Sequence, residues 1–309
     1  MWHRRKLNEI PLLYEALVYD AQKHQNFTVP NMISESHSNI SISNWLQNWL
    51  NCDVSKPREA VCDHSIALLS AIVKSFTQYS TLQDYLRACA GLLKETVFDY
   101  QALPRCFVRI DVAHFIKIAS KWTPLKSITR LAREMILRAI GLLIKCKTMN
   151  EIRVLLLSLF VLLTNETNGT DIENGEETPC EQQKRFLTEA TSTGFVDLQI
   201  EFDDIVSLAE TEDDARILIE NEYKRQNEAL DLYENPFQAW ADDILLESKT
   251  LIKDGTGINP FYCPELVSVL IKTTKNIPLW SAVMIPIFDY EEDISSSAAV
   301  ESSFKKLKK

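Results

Sequence analysis

The stretch Glu59-Ala-Val-Cys-Asp63-His-Ser-Ile-Ala-Leu-Leu-Ser-Ala-Ile-Val-Lys-Ser-Phe76 decides how the rest of the chain is read. Its first four residues form a short, largely apolar run set off by Pro57, which predicts a strand over 59–62. Ser65 then precedes Ile66, Leu69, Ile72, Val73 and Phe76, which fall on one helical face. A strand, an Asp and a helix in that order place a carboxylate at the carboxyl end of a strand. Open α/β sheets hold their reactive groups on that edge. The same position also suits an Asp that caps free N–H groups at a helix start, and position alone leaves both readings open.

Working outward, Leu12 to Tyr19 reads as a strand and Thr28 to Ile33 as a shorter one. A helix follows from Ser41, with Trp45, Leu46, Trp49 and Leu50 at helical spacing. Downstream, a helix is expected from Leu82 to Thr96, and Cys106 to Val112 alternates like a strand. From His114 the pattern turns helical, with helices expected over 114–145, 150–163, 181–192, 203–230 and 236–253. An acidic Asn/Gly/Thr loop at 164–179 reads as a disordered excursion. Pro260, Pro264, Pro278 and Pro286 mark 256–288 as irregular around one helix at 265–276. Ser295-Ser-Ser then starts a final helix to Lys309. The expected fold class is an α/β core interrupted by a large all-α insertion, helix-rich overall. It divides as 1–118 (core), 119–255 (insertion) and 256–309 (return segment and last core helix).

Composition narrows the function classes. Only 7 of 309 residues are Gly, too few for the turns of Rossmann or P-loop enzymes. The net charge is -10, unlike a typical nucleic-acid-binding protein. Of 43 acids and 33 bases, 16 and 4 fall between Asp197 and Thr250, so the remainder is close to neutral. The seven Cys are odd in number and lack any CxxC pair, which argues against a disulfide framework or a closed zinc site. Met1-Trp-His-Arg-Arg-Lys6 is not followed by an apolar signal region, so a nuclear or cytoplasmic protein is expected and secretion is not. The longest apolar run, Val154 to Leu163, is too short to span a bilayer.

Few other residues signal chemistry. Glu301 lies one turn into the final predicted helix, where the helix dipole also favours an ordinary Glu. Cys106 and His114 bracket the predicted strand, with Asp111 between them. They are weak metal candidates against a packed core thiol and a hydrogen-bonded His. His3, His24, His37 and His64 show no catalytic arrangement. G-x-S-x-G, HExxH, P-loop and kinase motifs do not occur.

Several phrases in order resemble the Mutator-like transposases and related insect elements. They are Val29-Pro-Asn-Met-Ile-Ser-Glu-Ser-His37, Glu59 to Leu69, Arg109-Ile-Asp-Val-Ala-His-Phe-Ile-Lys117, Pro278-Leu-Trp-Ser-Ala-Val-Met284 and Ser295-Ser-Ser-Ala-Ala-Val-Glu-Ser-Ser-Phe-Lys305. The resemblance implies an RNase H-like mixed sheet with a helical insertion before the last catalytic helix. Three carboxylates would there hold Mg²⁺ or Mn²⁺ for hydrolysis and strand transfer at DNA phosphodiesters. It matches Asp63 to the second acid and Glu301 to the third, both as metal ligands. Cys106 and His114 fall near a Cys/His pair of the group. Transposon-end DNA and a homo-oligomer are the implied partners. The first acid of such enzymes lies on a strand ahead of the segment matching Leu12 to Tyr19. The eleven residues before that segment hold no such strand, so the expected chain is a truncated, transposase-derived protein that is catalytically incomplete alone. The competing reading is a non-enzymatic helical module that binds a protein partner through its acidic region, 197–250.

Overall fold

A computed structural model describes residues 12–14, 16–20, 25–28, 31–34, 37–94, 103–169, 177–193, 235–252 and 255–289. The chain divides into two compact units: Met1–Tyr85 with Pro104–Asp111 and Ser295–Lys309, and Leu86–Leu103 with Val112–Ile294. The sequence boundary at residue 118 falls inside a helix, Val112–Ser120.

In the first unit the N-terminal segment is a broken hairpin. Strand β1 (Leu12–Tyr14) pairs antiparallel with β4 (Met32–Ser34), and β2 (Leu17–Asp20) with β3 (Gln25–Thr28). The expected single strand Leu12 to Tyr19 is therefore two strands, and the expected strand Thr28 to Ile33 is split in the same way. Pro30 lies between β3 and β4, and a Pro lacks the N–H that a continuous ladder would need. Helix α1 (Asn39–Leu50) starts at Ser38, whose hydroxyl accepts from the Ser41 N–H. It packs on α2 (Ile66–Phe76), where the Trp49 ring meets Phe76 edge-on at 5.9 Å.

Strand β5 (Glu59–Cys62) pairs with β6 (Phe107–Ile110) in parallel, Glu59 opposite Phe107 and Cys62 opposite Ile110. Parallel strands need a crossover, which α2 and α3 (Leu82–Lys94) supply. Leu69, Ile72, Val73 and Phe76 are buried as the periodicity predicts, and α2 packs on both strands. Sequence reading runs the second strand on to Val112. The structure ends it at Ile110, and Val112 opens the next helix.

The second unit is helical. The expected continuous helix 114–145 is three pieces: α4 (Val112–Ser120), a 3-10 turn (Thr123–Lys126) and α5 (Arg130–Lys145). Pro124 forbids a helical hydrogen bond there, and Thr129 recaps the chain by accepting from the Ala132 N–H. Helix α6 (Met149–Thr164) begins with a reciprocal Thr148/Glu151 capping box and is apolar on nearly every side. A helix of that pattern belongs in the centre. Helices α7 (Pro179–Thr193), α8 (Pro236–Leu251), α9 (Pro264–Thr274) and α5 all pack against it. No described helix is long and apolar enough to cross a membrane.

Two further expectations need correction. The loop 164–179 is not a free excursion at its start. Thr167 bridges to Ile258, and the Asn168 N–H donates to the Gly257 carbonyl. The segment after 276 is not irregular. Prolines 278 and 286 stand in the first turns of short helices, Ile277–Trp280 and Ile285–Phe288, where a missing N–H costs nothing. Trp280 stacks on Phe115 at 5.0 Å and donates its indole N–H to the Thr273 carbonyl. Helices expected at 203–230 and 295–309 lie outside the described residues.

Candidate functional site

The carboxyl end of the parallel pair is the feature with chemical content. Asp63 directly follows β5 and Asp111 directly follows β6, so the strand register brings two acids to the ends of neighbouring strands. The Asp111 N–H donates to the Cys62 carbonyl at 2.9 Å, extending the ladder by one bond and fixing that residue. Asp111 is buried, whereas Asp63 is exposed. Both carboxylates act on the Cys62 thiol between them. Burial pushes that thiol's pKa up first, and the charges of Asp63 and Asp111 push it further.

Asp63 does not cap the helix behind it. Ser65 does, accepting from the Leu68 N–H. Ser65 is itself held from the other side. Its hydroxyl lies 2.7 Å from His37 Nε2, and His37 Nδ1 lies 2.5 Å from the Tyr14 hydroxyl. Sequence reading gave His37 no catalytic arrangement; the structure places it in a hydrogen-bonded chain. A Tyr14–His37–Ser65 chain ties β1 to the turn that carries Asp63. Its members are 23 and 28 residues apart, so no local pattern announces it. The phrase Val29 to His37 holds the residue but not its role.

Two more contacts stiffen the strand pair. Glu59 and Arg109 are diagonal neighbours on one face of the sheet, and the guanidinium donates to the carboxylate at 3.1 Å. Arg109 also lies over the Phe107 ring, 5.1 Å from its centroid. On β6 the Val108 N–H donates to the buried Tyr85 hydroxyl at 3.0 Å.

The remaining candidates stand as follows. Cys106 precedes β6 and is fully buried, with its thiol on the Phe107 carbonyl. Burial pushes its pKa up to about 12, with Glu59 adding and Lys56 opposing. His114 sits in the first turn of α4. Glu301 lies outside the described residues, as does most of the acidic region 197–250. Among the described residues no group of three or more His, Cys, Asp or Glu is arranged to hold a metal ion.

The thiols give a direct check. Cys52 is exposed, whereas Cys89, Cys106, Cys146, Cys180 and Cys263 are buried. Burial, with Glu151 adding, also pushes Cys146 up to about 12. At pH 8 a thiol reagent should titrate Cys52 quickly and the buried set only after denaturation; fast modification of Cys106 or Cys146 would contradict this packing. A linked effect on stability has a fixed sign. Folded Cys106 and Cys146 hold their protons to about 12, above the usual value of 9.0. Their stabilising contribution is complete below pH 9.0 and is lost as pH rises towards 12.

Comparison with curated proteins shows a similarity over most of the chain. It is 29% identical over 283 residues to the 120.7 kDa protein in NOF-FB transposable element of Drosophila melanogaster. The match covers 91% of this chain, which spans about 25% of that protein's length. No family model matches, and no solved structure matches.

Proposed function

We propose that the chain derives from a transposable element. We assign it to the lineage of Mutator-like transposases, with an RNase H-like core whose ancestral role is metal-dependent hydrolysis and strand transfer at DNA phosphodiesters. The placement of Asp63 carries the reading. It is an exposed carboxylate at the end of a parallel strand, beside Asp111 on the neighbouring strand, and Ser65 has taken over the capping role. The likeness to a transposable-element protein over nearly the whole chain supports the same reading.

Carboxylate oxygens at a sheet edge suit a hard divalent cation such as Mg²⁺ or Mn²⁺. Asp63 would be the principal ligand and Glu301, by resemblance, a second. Asp111 is an additional carboxylate that sequence reading did not promote. A bound metal would supply Lewis-acid polarisation of a phosphodiester and an activated water. The chain's own contribution is positional. The Cys62–Asp111 backbone bond fixes one side of the edge, and the Tyr14–His37–Ser65 chain fixes the turn after Asp63.

The chain is expected to bind Mn²⁺ weakly, because Asp63 is exposed and water competes with it for the ion. Titration with Mn²⁺, followed by the paramagnetic signal of the free ion, tests the assignment. Asp63→Asn should weaken binding about tenfold or more in a chain whose far-UV dichroism shows it folded. Equal Mn²⁺ affinity in the two proteins would remove Asp63 from any metal site. Asp63-dependent nicking would show that the chain is catalytically complete.

A further inference from the structure

The parallel pair β5–β6 is a sheet of two strands. Parallel strands are normally covered on both sides, and a pair of strands alone is marginal. The two edges of this pair differ. Strand β6 is buried along its whole length, and the Val108 N–H on its outer edge is taken by the Tyr85 hydroxyl at 3.0 Å. Strand β5 is half-buried at every residue, and among the described residues no second strand lies against it. The ladder fixes which groups point outward. The Phe107 N–H donates to the Arg58 carbonyl and the Asp111 N–H to the Cys62 carbonyl, so the even-numbered residues of β5 face β6. The main-chain N–H and C=O groups of Glu59 and Val61 therefore point away from β6, and among the described residues nothing bonds them.

Exposed strand edges are usually blocked by a Lys, a Pro, an inward charge or a bulge. Within Glu59-Ala-Val-Cys62 none of these stands in the way, because the one charge, Glu59, is held by Arg109 of the same sheet. Pro57 lies just before the strand and has no N–H, so a ladder on this edge closes there. What is left open is a short run of alternating donors and acceptors on Glu59 and Val61.

We propose that this edge pairs with the same edge of a second copy of the chain, antiparallel about a two-fold axis at Ala60. In that register Glu59 lies opposite the partner's Val61 and Val61 opposite the partner's Glu59, each pair exchanging two main-chain hydrogen bonds. All the open groups are then satisfied, and two parallel pairs become one sheet in the order β6-β5-β5-β6. The residues suit a second copy. Ala60, which meets its own copy on the axis, is small and uncharged, and a non-hydrogen-bonded pair needs a Cα approach of about 4.5 Å. Glu59 faces a Val, so no like charges are opposed across the strands. Exposed Lys56 and Arg58 precede the strand and exposed Asp63 follows it. Antiparallel pairing lays the basic end of one copy along the acidic end of the other, whereas parallel pairing sets like against like. Arg58 and Asp63 also have contacts within their own chain, so these charges set direction and the ladder supplies the binding. The inference is independent of the transposable-element reading and of its metal.

A ladder this short makes a weak dimer, so the full chain is followed by sedimentation equilibrium from about 1 to 200 μM, where its average mass should rise towards twice that of the monomer. Val61→Pro removes an outward donor from each copy and leaves the β5–β6 ladder intact, and it should weaken association about tenfold or more. Cross-linking tests the register. In a background with the exposed thiol removed, Cys52→Ser, the substitution Ala60→Cys should yield a covalent dimer on copper–phenanthroline oxidation, because residues on the axis fall within the Cα separation of about 4.4–6.8 Å that a disulfide needs. Ser55→Cys, exposed but well off the axis, should not. A chain that stays monomeric throughout, a Val61→Pro variant that associates as well as the parent, or equal cross-linking at 55 and 60 would overturn the proposal. So would protection of the Val61 amide from hydrogen exchange in the monomer, which would show that another segment of the chain covers β5. Should Val61→Pro lose its far-UV dichroism, the two cross-linking variants decide the matter.

Discussion

Asn259→Ala should destabilise the helical unit by about 3–4 kcal/mol, among the largest effects for a single side chain here. Helix α6 ends on an extended residue, Asn165, so its last carbonyls have no continuing turn to accept from. Downstream residues supply the donors. The buried Asn259 side chain donates to the Leu162 carbonyl at 2.7 Å and to the Asn165 carbonyl at 2.6 Å, and it accepts from the Phe261 N–H at 3.0 Å. The Cys263 N–H covers the Leu163 carbonyl. Truncation strands three buried polar groups, each costing about 1–3 kcal/mol with partial relief by relaxation. Asn259→Asp should be no better, because an oxygen would then face two carbonyls. The clasp has little slack around it. A Cβ on Gly255 would lie 1.4 Å from the Gly169 carbonyl oxygen, and Gly169 itself adopts φ 103. Urea unfolding monitored by far-UV dichroism is the measurement, and a loss below about 1 kcal/mol would show that the amide is replaceable by water.

Glu59→Ala should cost about 2–3 kcal/mol and loosen the edge that carries Asp63. Arg109 is 5% exposed, and removing the carboxylate leaves a buried guanidinium without its bonded anion. Breaking such a pair from one side costs about 3–5 kcal/mol. The Glu59 side chain keeps 30% of its surface in water, so the lower part of that range is reduced further. The double variant Glu59→Ala/Arg109→Met should be more stable than Glu59→Ala, because no charge is then buried. A double-mutant cycle by chemical denaturation reads this directly. Equal stability of the single and double variants would mean that Arg109 is satisfied without Glu59.

Local signals survived the passage from sequence to structure where they were complete within a turn or two. The strand over 59–62, the Ser65 cap and the buried face of α2 are all set by neighbours in sequence. The reading failed where one residue changed the rules. Pro124 broke a helix that the apolar periodicity carried through. Pro278 and Pro286 did the opposite, opening short helices in a segment where prolines suggested irregular chain. Loop composition misled as well, because Asn165 and Asn259 turned polar, turn-forming chemistry into a buried clasp.

Sequence by itself determined the helical class, the order of elements around Asp63, the shortness of the apolar runs and the segregation of charge along the chain. Each of these is a property of composition or of spacing over a few residues. Tertiary structure alone decided which strand lies beside β5. It thereby placed Asp111 beside Asp63 and put Glu59 diagonal to Arg109. It likewise joined Tyr14, His37 and Ser65, and it sent Asn259 to the end of α6. The physical reason is one of range. Periodicity and capping are satisfied by neighbours in sequence, whereas a strand edge, a buried guanidinium and the open end of a helix are satisfied by whichever distant segment the packing of the apolar faces brings within hydrogen-bonding distance.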